Sequence, residues 1–209
     1  MYGLLSKLLL TGKMNFQIGQ ISMFGDPILM ISASSLKKMT DDAMEGGKRA
    51  IMDLYLQGWI YGFKITNDMT KQLGLKKFED RYSVSMNIIS LIGFGDYRSK
   101  ACNRGNASWH ILRNPFAMQY YKTDKLVDHY LRGVNAGGGT IVQENIMYCV
   151  EYECCAQNGQ YCNQSNLEIK LLDKVDKKIL DGQLDVNYLD KKVIDLIEVC
   201  GEVPKRFGR

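Results

Sequence analysis

The sequence predicts an α/β (α+β) domain in which helices pack on one side of a mainly antiparallel sheet. Three observations carry this. Turn chemistry recurs between short strand-like runs, at Gly25-Asp26-Pro27, Asn103-Arg104-Gly105-Asn106 and Asn158-Gly159. Apolar residues recur at helical spacing, most densely between Gly47 and Leu73. The composition is that of an ordinary globular chain, 45% hydrophobic and 24% charged, which excludes disordered, collagen-like and small disulfide-scaffold classes. A chain of 209 residues is long enough to bury one substantial core.

Met14 to Gly25 reads as a strand, and Ile28 to Ile31 as its hairpin partner across Gly-Asp-Pro. Ser34-Ser35 offers a helix N-terminus. Ile51, Leu54, Tyr55, Trp59, Ile60, Phe63 and Ile65 then mark a long helix stopped by Gly74. Tyr82, Val84, Met86 and Ile88 alternate with polar residues, the period of a strand, and the run ends at Gly93-Phe94-Gly95. Tyr97–Cys102 and Trp109–Leu112 form the next hairpin, closed by Asn114-Pro115. Leu126, Tyr130, Leu131 and Val134 mark a helix running into Ala136-Gly137-Gly138-Gly139. Met147–Ala156 and Tyr161–Ile169 form the last hairpin across Asn158-Gly159. From Glu168 onward Leu171, Leu172, Val175, Ile179, Leu189, Val193, Ile194 and Ile197 take amphipathic spacings, so residues 170–209 read as a C-terminal helical extension to a domain spanning 1–169.

The net charge of +4 comes from 27 Lys and Arg interleaved with 23 Asp and Glu. Without clustering there is no nucleic-acid footprint. The strongest N-terminal apolar run, Leu8-Leu9-Leu10, is too short for a membrane span or a signal-peptide core, so a cytoplasmic chain is expected. In a reducing compartment the six cysteines have three readings: plain burial, redox or disulfide chemistry, and metal ligation. Four of them, Cys149, Cys154, Cys155 and Cys162, belong to the last hairpin. A two-residue Asn158-Gly159 turn sets Cys155 opposite Cys162, whereas a three-residue loop brings Cys154 to the face of Cys162. Cys154, Cys155, Cys162 and His129 could together hold zinc if the helix bearing His129 packs over the hairpin. No Ser-His-Asp, Cys-His or paired-carboxylate motif stands out, and with only His110 and His129 as neutral-pH acid-base groups the chain is not read as an enzyme. The glycines at 137–139 lack a following Gly-Lys-Ser/Thr, which favours close helix packing or a helix end over a phosphate loop.

Val127-Asp128-His129-Tyr130-Leu131-Arg132-Gly133, followed by Cys149, Cys154-Cys155, Gly159 and Cys162, resembles the 4-vinyl-reductase-type (hydrocarbon-binding) domain, a family related in fold to the TRAPP vesicle-tethering subunits. That family tends to place a His-aromatic-x-Arg-Gly helix before a strand with a cysteine, a glycine turn and a second cysteine. Ile92-Gly93-Phe94-Gly95 and Asn114-Pro115-Phe116-Ala117 add to the match. Its Cys-x7-Cys spacing favours Cys154 as the partner of Cys162. Asn163-Gln164 departs from the acidic residue and phenylalanine usual there. The resemblance implies a TRAPP-like ligand-binding fold, a homodimer, and an apolar small molecule bound by Trp59, Phe63, Ile92, Phe94, Phe116 and Tyr130, with Arg132 as a candidate for a carboxylate. A cysteine-based redox or zinc sensor and a dimeric scaffold subunit are the alternative functions.

Overall fold

A computed structural model describes residues 2–120 and 122–207. The N-terminal part is a helix, α1 (Tyr2–Leu10), and a three-stranded antiparallel sheet of β1 (Met14–Gln17), β2 (Gln20–Met23) and β3 (Asp26–Ile28). The single strand expected over Met14–Gly25 is two, because the chain reverses at Ile18-Gly19, where Gly19 takes φ +81°. Its expected partner over Ile28–Ile31 ends at Ile28. Pro27 sits in β3, which is an edge strand, where a missing N–H does no harm.

Helix α2 (Ala33–Glu45) starts from Ser32, whose Oγ accepts the Ser35 N–H at 3.1 Å. Helix α3 (Gly47–Gln72) matches the expected long helix, and Gly74 ends it at φ +63°. The strand expected at Tyr82–Ile92 is instead helix α4 (Phe78–Leu91). Phe78, Arg81, Tyr82, Ser85, Met86, Ile88, Ile89 and Ile92 face inward there, a three-and-four spacing wide enough to include 82, 86 and 88 of the apparent alternation. Buried Arg81 fastens α4 by donating from Nε and Nη2 to the Val142 carbonyl at 3.1 and 3.0 Å.

The main sheet has the order β4-β5-β7-β6, all antiparallel, from β4 (Asp96–Asn103), β5 (Asn106–Leu112), β6 (Met147–Glu153) and β7 (Tyr161–Glu168). Ala107, Trp109 and Ile111 alternate into the buried face, opposite Asn166, Gln164 and Cys162. Helix α5 (His129–Gln143) runs straight through Gly137-Gly138-Gly139 and crosses α3. An added Cβ at Gly58, Gly62, Gly133 or Gly137 would lie only 2.1, 2.0, 1.9 or 2.0 Å from a carbonyl oxygen of the facing helix. Backbone therefore meets backbone at this crossing, and the glycine triplet serves packing.

Between β6 and β7 neither the two-residue turn nor the three-residue loop forms; a helical turn, α6 (Cys155–Asn158), stands there, with Gly159 at φ +71°. Asn158 holds it, its Oδ1 accepting from the N–H groups of Gln160 and Tyr161 at 2.8 and 3.2 Å. The last ladder pair is Glu153 with Asn163, so neither Cys154 nor Cys155 is cross-strand neighbour to Cys162.

The C-terminal part is helical: α7 (Ile169–Leu172), α8 (Lys177–Gln183) and α9 (Val186–Val199). Leu172, Leu184, Leu189, Val193, Ile197 and Phe207 join the same core as α3, α5 and the sheet. Gln183 covers the free edge of β6 as another strand would, accepting from Glu151 N–H at 2.8 Å and donating to its carbonyl.

Candidate functional site: a cavity and a buried ligand cluster on one network

Between α3, α4, α5 and β5 lies a cavity of about 60 Å³, enough for a handful of waters. Its walls are mostly apolar: Ile65 and Met69 of α3, Met86, Ile88, Ile89 and Ile92 of α4, Val134 and Val142 of α5, Ala107 of β5. Among the lining residues, Ser85 Oγ, Trp109 Nε1 and Asn166 Oδ1 are buried without a hydrogen-bond partner. Leaving such a group unpaired costs about 1–3 kcal/mol. Gly138 and Gly139 line the cavity as well.

The expected pocket residues distribute otherwise. Only Ile92 lines this cavity. Trp59 and Phe63 are fully buried and stacked at 4.7 Å, with Phe207 edge-on to Phe63 at 5.4 Å. Phe94 packs between Tyr61 and Tyr130 at 6.3 and 6.4 Å. Phe116 sits edge-on to Tyr120 at 5.6 Å. All belong to, or pack against, one apolar core. Arg132 is fully buried and donates to the Cys149 and Gln183 carbonyls at 3.4 and 3.3 Å and to His129 Nδ1 at 2.7 Å.

The second centre gathers where α5 begins against β6 and β7. One oxygen of Asp128, one of Glu151, and the sulfurs of Cys154 and Cys162 lie within 4.8 Å of one another, and all four residues are buried. Cys155 Sγ lies 3.5 Å and Cys154 Sγ 3.8 Å from Cys162 Sγ, so both candidate partners reach it despite the altered turn. His129, the fourth ligand in the zinc set read from sequence, is turned towards Arg132 and stands outside this group. Asp128 Oδ1 and both Glu151 oxygens meet no N–H or O–H of the protein. They face each other and the Cys154 and Cys162 thiols, whose S–H groups are weak donors to them, and a shared proton or a cation would satisfy them more fully. Burial raises the Asp128 carboxyl to about 6 and Glu151 well above the usual carboxylate range. Burial likewise drives His129 down to about 3, with Arg132 adding to the effect. Cys154 is lowered by thiol hydrogen bonds from Cys155 and Cys162.

Two carboxylates and two thiolates at this separation form a donor set that suits a tetrahedral divalent ion such as zinc. Asn114, which sequence reasoning used only as a strand stop, donates to Asp128 Oδ2 at 2.7 Å and approaches Cys162 Sγ at 3.5 Å. Gln164 donates to the same Asp128 oxygen at 3.1 Å and accepts from Asn135 at 2.8 Å. Asn135 lines the cavity, so one chain of hydrogen bonds joins the two centres.

At the level of sequence no known family and no curated protein matches the chain. The fold does match. The phenol-responsive sensory domain of the transcription activator PoxR, solved with phenol, superposes with a TM-score of 0.69 over 92% of this chain and 96% of that one, at 12% identity. A trafficking protein particle complex subunit 3 from Naegleria fowleri, covalently bound to palmitic acid, gives 0.52 over 65% and 91%, at 11% identity. The chain therefore has the mixed α/β fold shared by that sensory domain and the trafficking protein particle complex subunit. Among the described residues no helix is long and apolar enough to cross a membrane.

Proposed function

We propose that the protein is a non-enzymatic, cytoplasmic sensing domain of 4-vinyl-reductase type that takes a small apolar molecule bearing a hydroxyl into the cavity between α3, α4, α5 and β5. The observation that carries this reading is the set of three unpartnered polar atoms, Ser85 Oγ, Trp109 Nε1 and Asn166 Oδ1, on mostly apolar walls. A hydroxyl can accept from the indole N–H and donate to the amide oxygen, while its hydrocarbon body meets the aliphatic wall. The solved relative with phenol supports the same ligand class.

The test uses phenol and toluene as matched probes, followed by calorimetry or thermal shift. Phenol should bind more tightly than toluene. Trp109→Phe keeps the ring and removes the donor, and should weaken phenol about tenfold, the equivalent of about 1.4 kcal/mol, while leaving toluene nearly unchanged. Equal weakening of both probes would remove the hydroxyl from the reading, and no binding of either at millimolar concentration would remove the cavity.

A homodimer belongs to this reading. Phe16, Ile18, Leu29 and Met30 are exposed on the N-terminal sheet and the segment after it, Ile18 and Leu29 almost completely, and apolar surface gathered in one region is what association covers. Light scattering should give twice the chain mass at micromolar concentration, and Leu29→Lys with Ile18→Lys should reduce it to one. A parent protein that scatters as a monomer removes the dimer.

The cluster of Asp128, Glu151, Cys154 and Cys162 is read as the seat of a divalent ion. An ion there would neutralise two buried carboxylates and tie the start of α5 to β6 and β7.

A further inference from the structure

We propose that Cys155 and Cys162 are a thiol pair that closes to a disulfide on exposure to a hydroperoxide, withdrawing Cys162 from the four-residue cluster. The inference rests on the placement of three sulfurs. Cys162 lies between two thiols, with Cys155 the nearer at 3.5 Å and Cys154 at 3.8 Å. The two differ in employment. Cys154 shares the cluster with Asp128 and Glu151, whereas Cys155 stands outside it. They also differ in access, since Cys154 and Cys162 have no solvent contact and Cys155 retains 5%. Cys155 is thus the one residue of the three that reaches the surface.

Both residues lie where the backbone can bring them together. Cys155 opens the helical turn α6, its own N–H pointing at Cys162 Sγ at 3.3 Å, and Cys162 is the second residue of β7. Closing the remaining gap between the sulfurs requires a side-chain rotation and a small shift of α6, not a rearrangement of the sheet.

The chemistry balances with a hydroperoxide as the oxidant. The Cys155 sulfur attacks one peroxide oxygen, the O–O bond breaks, and water or an alcohol leaves, which makes the sulfenic acid. The Cys162 sulfur then attacks the sulfenyl sulfur. The S–S bond forms, the S–O bond breaks, and hydroxide leaves as water with the proton released by the Cys162 thiol. In sum two thiols are oxidised, the peroxide is reduced, and any ion held by Cys162 loses one of its four ligands.

The consequence extends to the cavity. Cys162, Gln164 and Asn166 lie on one face of β7, and Gln164 links Asp128 to Asn135 at the cavity wall. The pair is therefore a second, oxidative input to the proposed ligand sensor.

The experiment treats the full chain with hydrogen peroxide, blocks free thiols and maps non-reduced chymotryptic peptides, since cleavage after Tyr161 separates Cys162 from Cys154 and Cys155. Fragment ions between Cys154 and Cys155 identify the partner. The expected product is Cys155–Cys162 in the parent and in Cys154→Ser, and its loss in Cys155→Ser. A main product of Cys154–Cys162 in the parent, or oxidation confined to Cys102 and Cys200, overturns the proposal. Metal content of the untreated protein is measured separately. A protein without metal that still forms Cys155–Cys162 refutes the ion and leaves the pair, and a metal-loaded protein that forms no such bond does the reverse.

Discussion

Gly133→Ala should abolish stable folding or lower stability by more than about 3 kcal/mol, and Gly62→Ala should do nearly as much. At Gly133 the new methyl would sit 1.9 Å from the Tyr55 carbonyl oxygen, and at Gly62 2.0 Å from that of Val134. The obstacle is main chain in the middle of a helix, which cannot rotate away as a side chain can. Relief must come from moving α3 and α5 apart, and these two helices carry Tyr55, Trp59, Phe63, Leu131 and Val134 of the core. Overpacking a core usually costs about 1–3 kcal/mol, and a clash against immovable backbone belongs at or beyond the top of that range. Against this, glycine inside a helix is disfavoured relative to alanine by about 1 kcal/mol. The crossing thus tolerates the intrinsic weakness of four glycines for the contact they allow. Gly182→Ala is the counterpart. It lies in α8 with nothing within 4 Å of the new Cβ, and should stabilise by about 0.5–1 kcal/mol. Chemical denaturation of the three variants measures both signs. A Gly133→Ala protein as stable as its parent would mean that the two helices are not in backbone contact.

Removal of metal should have the second large effect. Protein purified without chelator is expected to carry about one divalent ion per chain, zinc by the donor set. An ion present at about 1,000 times its dissociation constant contributes about 4 kcal/mol of stability. For a chain of this length that corresponds to a fall of roughly 8–16 °C in Tm when chelator removes it. Cys154→Ser and Cys162→Ser should lose the ion, while Cys102→Ser and Cys200→Ser should retain it. His129→Ala should retain it too, because the ring is engaged with Arg132 and not with the cluster. Glu151→Gln gives a distinct signature. It should lose the ion, yet after chelation be at least as stable as the parent, since it deletes a buried carboxylate that meets only the Asp128 carboxyl and the weakly donating Cys154 thiol. Metal-free preparations with a Tm indifferent to chelator, zinc and these substitutions would show that the four side chains share protons instead.

Much of the architecture was legible locally. The spacing of Ile51 through Ile65 specified α3, because a helix buries residues three and four apart whatever lies against it. The Arg104-Gly105 turn specified the β4–β5 hairpin, since Gly105 accepts φ +78° without strain. The C-terminal helices and the packing role of the glycine triplet were readable for the same reason. The reading failed where two periods coincide: residues 82–88 satisfy both alternation and a helical stripe, and only the neighbours of α4 decide between them. That misreading hid the cavity, because Tyr82, Ser85, Met86, Ile89 and Ile92 converge only when the segment is helical. Of the cluster, cysteine chemistry marked Cys154 and Cys162 in advance. Asp128 and Glu151 could not be marked, since an isolated acidic residue in a sequence looks like solvated surface. Whether it meets water or two thiols depends on a helix start and two strands brought together from 23 and more residues apart, and local propensity contains no record of that. The sequence by itself determined the elements whose patterns are short-range. The tertiary structure alone decided which buried polar groups face one another, because that is set by the crossing of α5 over β6 and β7.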